Sequence, residues 1–290
     1  MGLQEMLMNR TRREFLTGAG SIAAGLAWPR TSAASAHDAN PKRHIVTLSF
    51  DDGFKKSFRH IAEIYEKHKL SACLNVIATG HHADYTAPGS YIAGSPKGDF
   101  GLWNELKQRG HEVMPHTYQH ANLREMPFEK ATHLIQHCLD AFAEHLKGFD
   151  PKKAIYNFAY NASTPQLEKW LTPRVRAFRT GGPAINAWPH PKQVKLTCTS
   201  FGPGNCERAI DREIEKLLAR KTGWLIFNTH GLDKEGWGPI RATYLERLLD
   251  RLTAMESVAV LPAAGALAQY VDAKERDVKQ PTTKRTAEDS

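Results

Sequence analysis

From residue 44 to residue 261 the chain alternates short β-branched or apolar runs with longer stretches of helical period, and no other feature restricts its fold as strongly. The extended runs cover 44–50, 72–77, 112–115, 154–158, 194–198, 224–229 and 258–261; the helical stretches cover 55–68, 102–109, 128–146, 206–220 and 244–255. A strand followed by a helix and then another strand has the long crossover that parallel pairing needs. About seven such units in roughly 230 residues predict an α/β protein, a distorted (β/α) barrel with about seven parallel strands, in preference to two separate domains. No internal repeat or linker interrupts this stretch. A parallel barrel gathers its reactive groups at the carboxyl ends of the strands, so the chemistry is to be sought there.

The chain is 41% hydrophobic and 24% charged over 290 residues, which is enough apolar material for a core and excludes global disorder. No uninterrupted apolar run approaches the about 18 residues of a membrane span, so stable membrane insertion is not expected. The formal net charge is +8, but the basic residues are dispersed and no nucleic-acid-binding motif is present, so nucleic acid is not an expected partner. Fourteen histidines are the more telling count, and they point to metal or proton chemistry.

The first 36 residues read as an address. Thr11-Arg12-Arg13-Glu14-Phe15-Leu16 is a twin-arginine block, 16–28 is uncharged and rich in Gly and Ala, and Ala34-Ser35-Ala36 is a small-residue cleavage site. We therefore expect a twin-arginine signal peptide over 1–36, engagement of the twin-arginine export machinery, and a periplasmic or secreted protein. That route carries folded proteins, which suits a metal site. An amphipathic helix is the alternative, but Gly18, Gly20 and Gly25 and the lack of a polar face oppose it. Residues 272–290 hold five acidic and five basic residues and almost no apolar ones, the composition of a disordered tail. Cys198 and Cys206 flank a turn-rich stretch that allows a disulfide in an oxidising compartment, whereas Cys73 and Cys138 read as buried thiols.

Three strand ends carry candidate chemistry. At Leu48-Ser49-Phe50-Asp51-Asp52-Gly53, adjacent carboxylates after an apolar strand are costly unless a cation or proton is shared; a plain polar turn is the other reading. At Pro115-His116-Thr117-Tyr118-Gln119-His120, imidazoles four apart can face one cation. His133 and His137 have the same spacing, but no acid cluster surrounds them and they read as helix-surface residues. Asn228-Thr229-His230-Gly231 brings a further imidazole to the same rim.

These residues resemble the polysaccharide deacetylases, carbohydrate esterase family 4, also called the NodB homology domain. LSFDDG, HTYQH and NTH are similar to the family's first, second and fifth motifs, with Gly110-His111-Glu112 before the histidine pair and Leu123 after it. The resemblance runs over about 43–271 and implies a catalytic domain there. Its third and fourth motifs depart from the pattern: where the family has Arg-x-Pro-Tyr-Gly, this chain has Ala159-Tyr160-Asn161-Ala162-Ser163. The arginine that would pair with the catalytic carboxylate is thus missing from its usual place. Arg179, in Phe178-Arg179-Thr180-Gly181-Gly182, is the suggested replacement, with a surface arginine as the alternative.

The resemblance implies that Asp52, His116 and His120 bind a divalent metal, zinc being the ion that two imidazoles and one carboxylate suit best. It makes Asp51 the general base, His230 the acid toward the departing amine or alcohol, and a backbone N–H around Ala162 a donor to the oxyanion. Tyr160, Asn161 and Ala162 then line the substrate, and Trp237 offers either a sugar platform or a packing ring. A leucine two residues before the family's final histidine helps line the pocket for the acetyl methyl. Asn228 takes that place here and implies a more polar pocket. The expected function is an exported, metal-dependent hydrolase that removes N- or O-linked acetyl groups from a carbohydrate. A hydrolase of a non-sugar amide on the same fold, and a carbohydrate-binding protein impaired in turnover, are the alternatives.

Overall fold

The structure, a computed structural model, describes residues 42–86 and 95–268. The expected signal peptide over 1–36 and tail over 272–290 lie outside the described residues. The strands are β1 (His44–Phe50), β2 (Cys73–Val76), β3 (Glu112–Pro115), β4 (Ile155–Asn157), β5 (Ala177–Gly181), β6 (Ile185–Asn186), β7 (Lys195–Cys198), β8 (Gly223–Thr229) and β9 (Val258–Val260). The helices are α1 (Lys55–Lys67), α2 (Phe100–Gln108), α3 (Phe128–His145), α4 (Pro165–Leu171), α5 (Cys206–Leu218) and α6 (Ala242–Thr253). Among the described residues no helix is long and apolar enough to cross a membrane.

Local sequence accounts for the elements. In α6, Tyr244, Leu245, Leu248, Leu249 and Leu252 recur at helical spacing and are buried, while the rest of the helix faces outward. Asp99 starts α2 by accepting the Leu102 N–H at 2.9 Å, and Thr164 starts α4 by accepting the Leu167 N–H at 3.3 Å, with Pro165 in the first turn. β1 and β8 are buried at every position, as strands covered on both faces must be.

One sheet has the order β3-β2-β1-β8-β6, with β9 also beside β1; the other has the order β4-β5-β7. All pairings are parallel except β6 on β8. The two sheets succeed one another round the distorted barrel that the alternation predicts. From β7 to β8 the link is a parallel bridge between Thr199 and Phe227, with the Asn228 N–H on the Thr199 carbonyl at 2.8 Å. Between β3 and β4 the ladder is open, and the Asn157 amide reaches the Pro115 carbonyl at 3.2 Å instead.

Strand period sorts the side chains into two layers. Val46, Leu48, Phe50, Leu74, Val76, Leu225 and Phe227 pack outward with Phe58 and Ile61 of α1 and Leu245 of α6. Ile45, Cys73, Ile155, Ala177, Leu196, Trp224 and Ile226 form a separate interior cluster, closed by Ala263, Ala266 and Leu267. Continuing each interior row two residues at a time toward the carboxyl ends leads to Ser49 and Asp51, Asn75, Asn157, Arg179, Cys198 and Asn228. The interior therefore turns from apolar to polar along the barrel axis.

Three elements were not legible in the sequence. β5 carries Arg179 and Thr180 in a five-residue run, and its extended state is imposed by pairing with β4 and β7. α4 has seven residues and β6 two, too few for a period to register.

Candidate active site

Asp52 sits beyond the end of β1 with φ 79°, a left-handed conformation that turns its side chain away from the β1 row. Its carboxylate is buried and neither oxygen accepts a hydrogen bond. His120 Nε2 lies 3.2 Å and His116 Nε2 3.5 Å from Asp52 Oδ1, and one ligand atom from each of the three residues falls within 4.8 Å of the others. The His116 Nδ1 is on the Asn157 carbonyl at 3.1 Å, which fixes the tautomer that presents Nε2 to Asp52. His120 is brought round by left-handed turns at Thr117 (φ 64°) and at itself (φ 56°), with its N–H on the Thr117 hydroxyl at 3.0 Å. Burial pushes the Asp52 carboxyl up, but the two imidazoles outweigh it and hold it well below the usual range. A buried carboxylate with no hydrogen bond, facing two imidazole nitrogens, fits a divalent cation.

Asp51 is equally buried and in the opposite condition. Asn75 Nδ2 donates to its Oδ1 at 2.8 Å and Asn228 Nδ2 to its Oδ2 at 2.7 Å. The Arg179 guanidinium makes a fork, with Nη1 on Oδ1 at 3.0 Å and Nη2 on Oδ2 at 2.6 Å. Arg179 is 1% exposed, so it is not the surface arginine of the alternative reading. Burial raises the Asp51 carboxyl, but the charge of Arg179, followed by that of His116, brings it below its ordinary value. Arg179 is raised in turn by Asp51 against its own burial.

His230 follows β8, whose register puts Thr229 opposite Phe50 and the Asp51 N–H on the Thr229 carbonyl at 3.0 Å. The ring is half-buried, and its Nδ1 has no hydrogen-bond partner. Burial pulls its pKa down, against the charges of Asp52 and Asp51. Trp237 is half-buried and meets His230 edge to face at 5.8 Å, and a Cβ at Gly202 would lie 3.1 Å from its ring. It therefore packs between His230 and the loop after β7 while keeping part of its surface open.

The loop after β4 departs from expectation at Ala162. Tyr160 is 50% exposed, in a left-handed conformation, with its ring 4.8 Å from that of His120. The Ala162 N–H is spent on the Ala159 carbonyl at 3.1 Å, because 159–162 closes as a tight turn, so it does not point into the site as an oxyanion donor would. The Asn228 amide is likewise not left beside an acyl pocket with unmet bonds. Its nitrogen is on Asp51 and its oxygen accepts from Asn161 Nδ2 at 3.1 Å, which corrects the expectation drawn from its place in the motif. The allowed disulfide is absent. Cys198 and Cys206 are both free and buried, the first 3.2 Å from Asn161 Oδ1 and the second 3.9 Å from the Thr229 hydroxyl. His133 and His137 are exposed on α3, as their setting predicts.

Sequence reasoning missed Asn75, Asn157 and Ser49. Asn157 Nδ2 donates to Asn75 Oδ1 at 2.9 Å, and Ser49 Oγ accepts from Asn75 at 2.8 Å and from Arg179 at 2.9 Å. A signal was available: amides within the otherwise apolar runs 72–77 and 154–158, on the interior parity, are costly unless they serve a buried partner.

Residues 38–171 match the family model of polysaccharide deacetylases. Among curated proteins none matches the chain. The fold is shared with a Mycobacterium smegmatis protein classed with the polysaccharide deacetylases, at 14% identity and TM-score 0.56, over 88% of this chain and 96% of that one. It is also shared with the Xyl-CE4 domain of a multidomain xylanase from the hindgut metagenome of Trinervitermes trinervoides, at 12% identity, TM-score 0.53 and coverage of 79% and 91%. A third is the catalytic domain of a peptidoglycan N-acetylglucosamine deacetylase from Eubacterium rectale, at 17% identity, TM-score 0.52 and coverage of 81% and 94%. At such identities these likenesses speak for the fold, whereas the family match spans the residues that carry both the carboxylate pair and the histidine pair. Over residues 38–171 the chain is therefore similar to the polysaccharide deacetylase family.

Proposed function

We propose that this protein is a metal-dependent hydrolase that removes N- or O-linked acetyl groups from a carbohydrate, and that it acts after twin-arginine export to the periplasm or beyond. The observation that carries the reading is the contrast between two adjacent carboxylates: Asp52 is buried without a single hydrogen bond, whereas Asp51 is held by three side chains. Adjacent acids in opposite environments are suited to different tasks.

Asp52, His116 and His120 would hold the cation, with zinc the best match to the donor set. Such an ion supplies a Lewis acid for the acyl carbonyl and lowers the pKa of water. Asp51, kept anionic by Arg179, is the proton acceptor, and its fixed orientation means that little reorganisation precedes the transfer. His230 stands level with Asp51 on the neighbouring strand end. Because burial lowers its pKa, it is a strong donor once it has gained a proton, as release of an amine or alkoxide requires. The guanidinium of Arg179 restores what the third motif lacks, which favours turnover over a binding-only role. Tyr160 and Trp237, both partly open beside the site, offer apolar faces to a sugar ring.

The test is metal content and acetate release together. Purified mature protein is expected to carry about one equivalent of divalent metal per chain. Chelation should abolish acetate release from acetylated chitin oligomers or acetylated xylan, and zinc should restore it. Protein that holds no metal and binds neither added zinc nor cobalt would refute the reading.

A further inference from the structure

Three side chains place four donor contacts on Asp51, two on each oxygen. The Arg179 fork reaches both oxygens, Asn75 also donates to Oδ1, and Asn228 also donates to Oδ2. The donors differ in how they are anchored. Asn75 is braced by Ser49 and by Asn157, both on interior strands. Asn228 is braced from the turn after β4: its Oδ1 accepts from Asn161, whose own Oδ1 lies 3.2 Å from Cys198 Sγ. Asn161 belongs to the tight left-handed turn that also carries the exposed Tyr160 (φ 57° and 51°).

We propose that Asn228 is a positioning residue for Asp51, and that the Asn161–Asn228 pair couples the orientation of that carboxylate to the Tyr160 loop. The proposal rests on the reading of Asp51 as the proton acceptor. Oδ2 is also the oxygen that lies toward His116, at 3.6 Å from its Nε2, so the donor controlling Oδ2 controls the edge of Asp51 that faces the cation ligands. Without Asn228 the carboxylate keeps the Arg179 fork but loses its lateral stop, and it can rotate about that fork. Without the Asn161 side chain, Asn228 loses its brace and holds Asp51 less firmly. Small misplacements of a reacting group cost rate and leave substrate affinity nearly intact.

The experiment is a kinetic double-mutant cycle on metal-loaded protein, with acetate release as the readout and metal content measured for each variant. Asn228→Leu is expected to lower kcat about tenfold with KM within about twofold of wild type and metal content unchanged. Asn161→Gly, which keeps the left-handed backbone while removing the side chain, should lower kcat about threefold. The double variant should be no slower than Asn228→Leu alone, because the brace matters only through the residue it braces. Losses that multiply, or an Asn228→Leu enzyme at the wild-type kcat while Asp51→Asn is inactive, overturn the proposal alone. Asp51→Asn at the wild-type rate, or wild-type protein without turnover, overturns the underlying reading and the proposal with it. Should Asn228→Leu fail to fold, Asn161→Gly decides: a wild-type kcat, or a change confined to KM, overturns the coupling.

Discussion

Asp51→Asn should retain its metal and lose roughly 10²- to 10⁴-fold in turnover, the usual cost of removing a general base. Asp52→Asn should instead lose metal and activity together, because the carboxylate without hydrogen bonds is the one facing the imidazoles. The two acids are adjacent in sequence and alike in burial, so the difference tests their environments rather than their accessibility. A single preparation of each variant, assayed for metal by elemental analysis and for acetate release, separates them. The assignment fails if both variants keep metal and rate. Asp51→Asn carries a second consequence. Its new NH2 group would face side chains that all donate, and the Arg179 charge would stay buried without its counterion, so the variant should also be less stable.

Arg179→Ala is expected to cost about 3–5 kcal/mol of stability, because removing one member of a fully buried ion pair strands the other charge. Arg179 is 1% exposed, so the variant should lose stability as well as rate. The effect has a sign in pH. In the wild type the folded pKa of Asp51 lies below its unfolded value, so the pair's contribution is present above about pH 4 and is lost as pH falls through the folded value. Without Arg179, burial dominates and raises Asp51, so the variant's deficit should shrink as the solution is acidified and the carboxyl is neutralised. Thermal unfolding of metal-stripped proteins between pH 3 and 7 measures this. A deficit that stays constant over that range would mean the two residues are not coupled. Combining Asp51→Asn with Arg179→Met should recover part of the lost stability and none of the activity, since a buried pair replaced on both sides leaves no stranded charge.

The alternation of extended and helical runs was enough to give the parallel barrel, because burial on both faces and crossover length are local properties of sequence. The carboxylate pair, the histidine pair and His230 were legible for a related reason: each stands at a strand's end in a pattern that costs free energy without a purpose. Tertiary structure decided what these groups touch. β5 was hidden because its extended state comes from its neighbours, and only burial decided between the two readings of Arg179, which pairs with a carboxylate 128 residues away in the chain. Asn75, Asn157 and Asn228 share an interior parity that the sequence contains, but strand order and register set which partner each one reaches, Asp51 for Asn75 and Asn228 and Asn75 for Asn157. The same holds for Cys198 and Cys206, close in sequence and held apart by separate partners. Residue type and period are written along the chain, whereas hydrogen bonds between strands depend on distances that exist only once the barrel has formed.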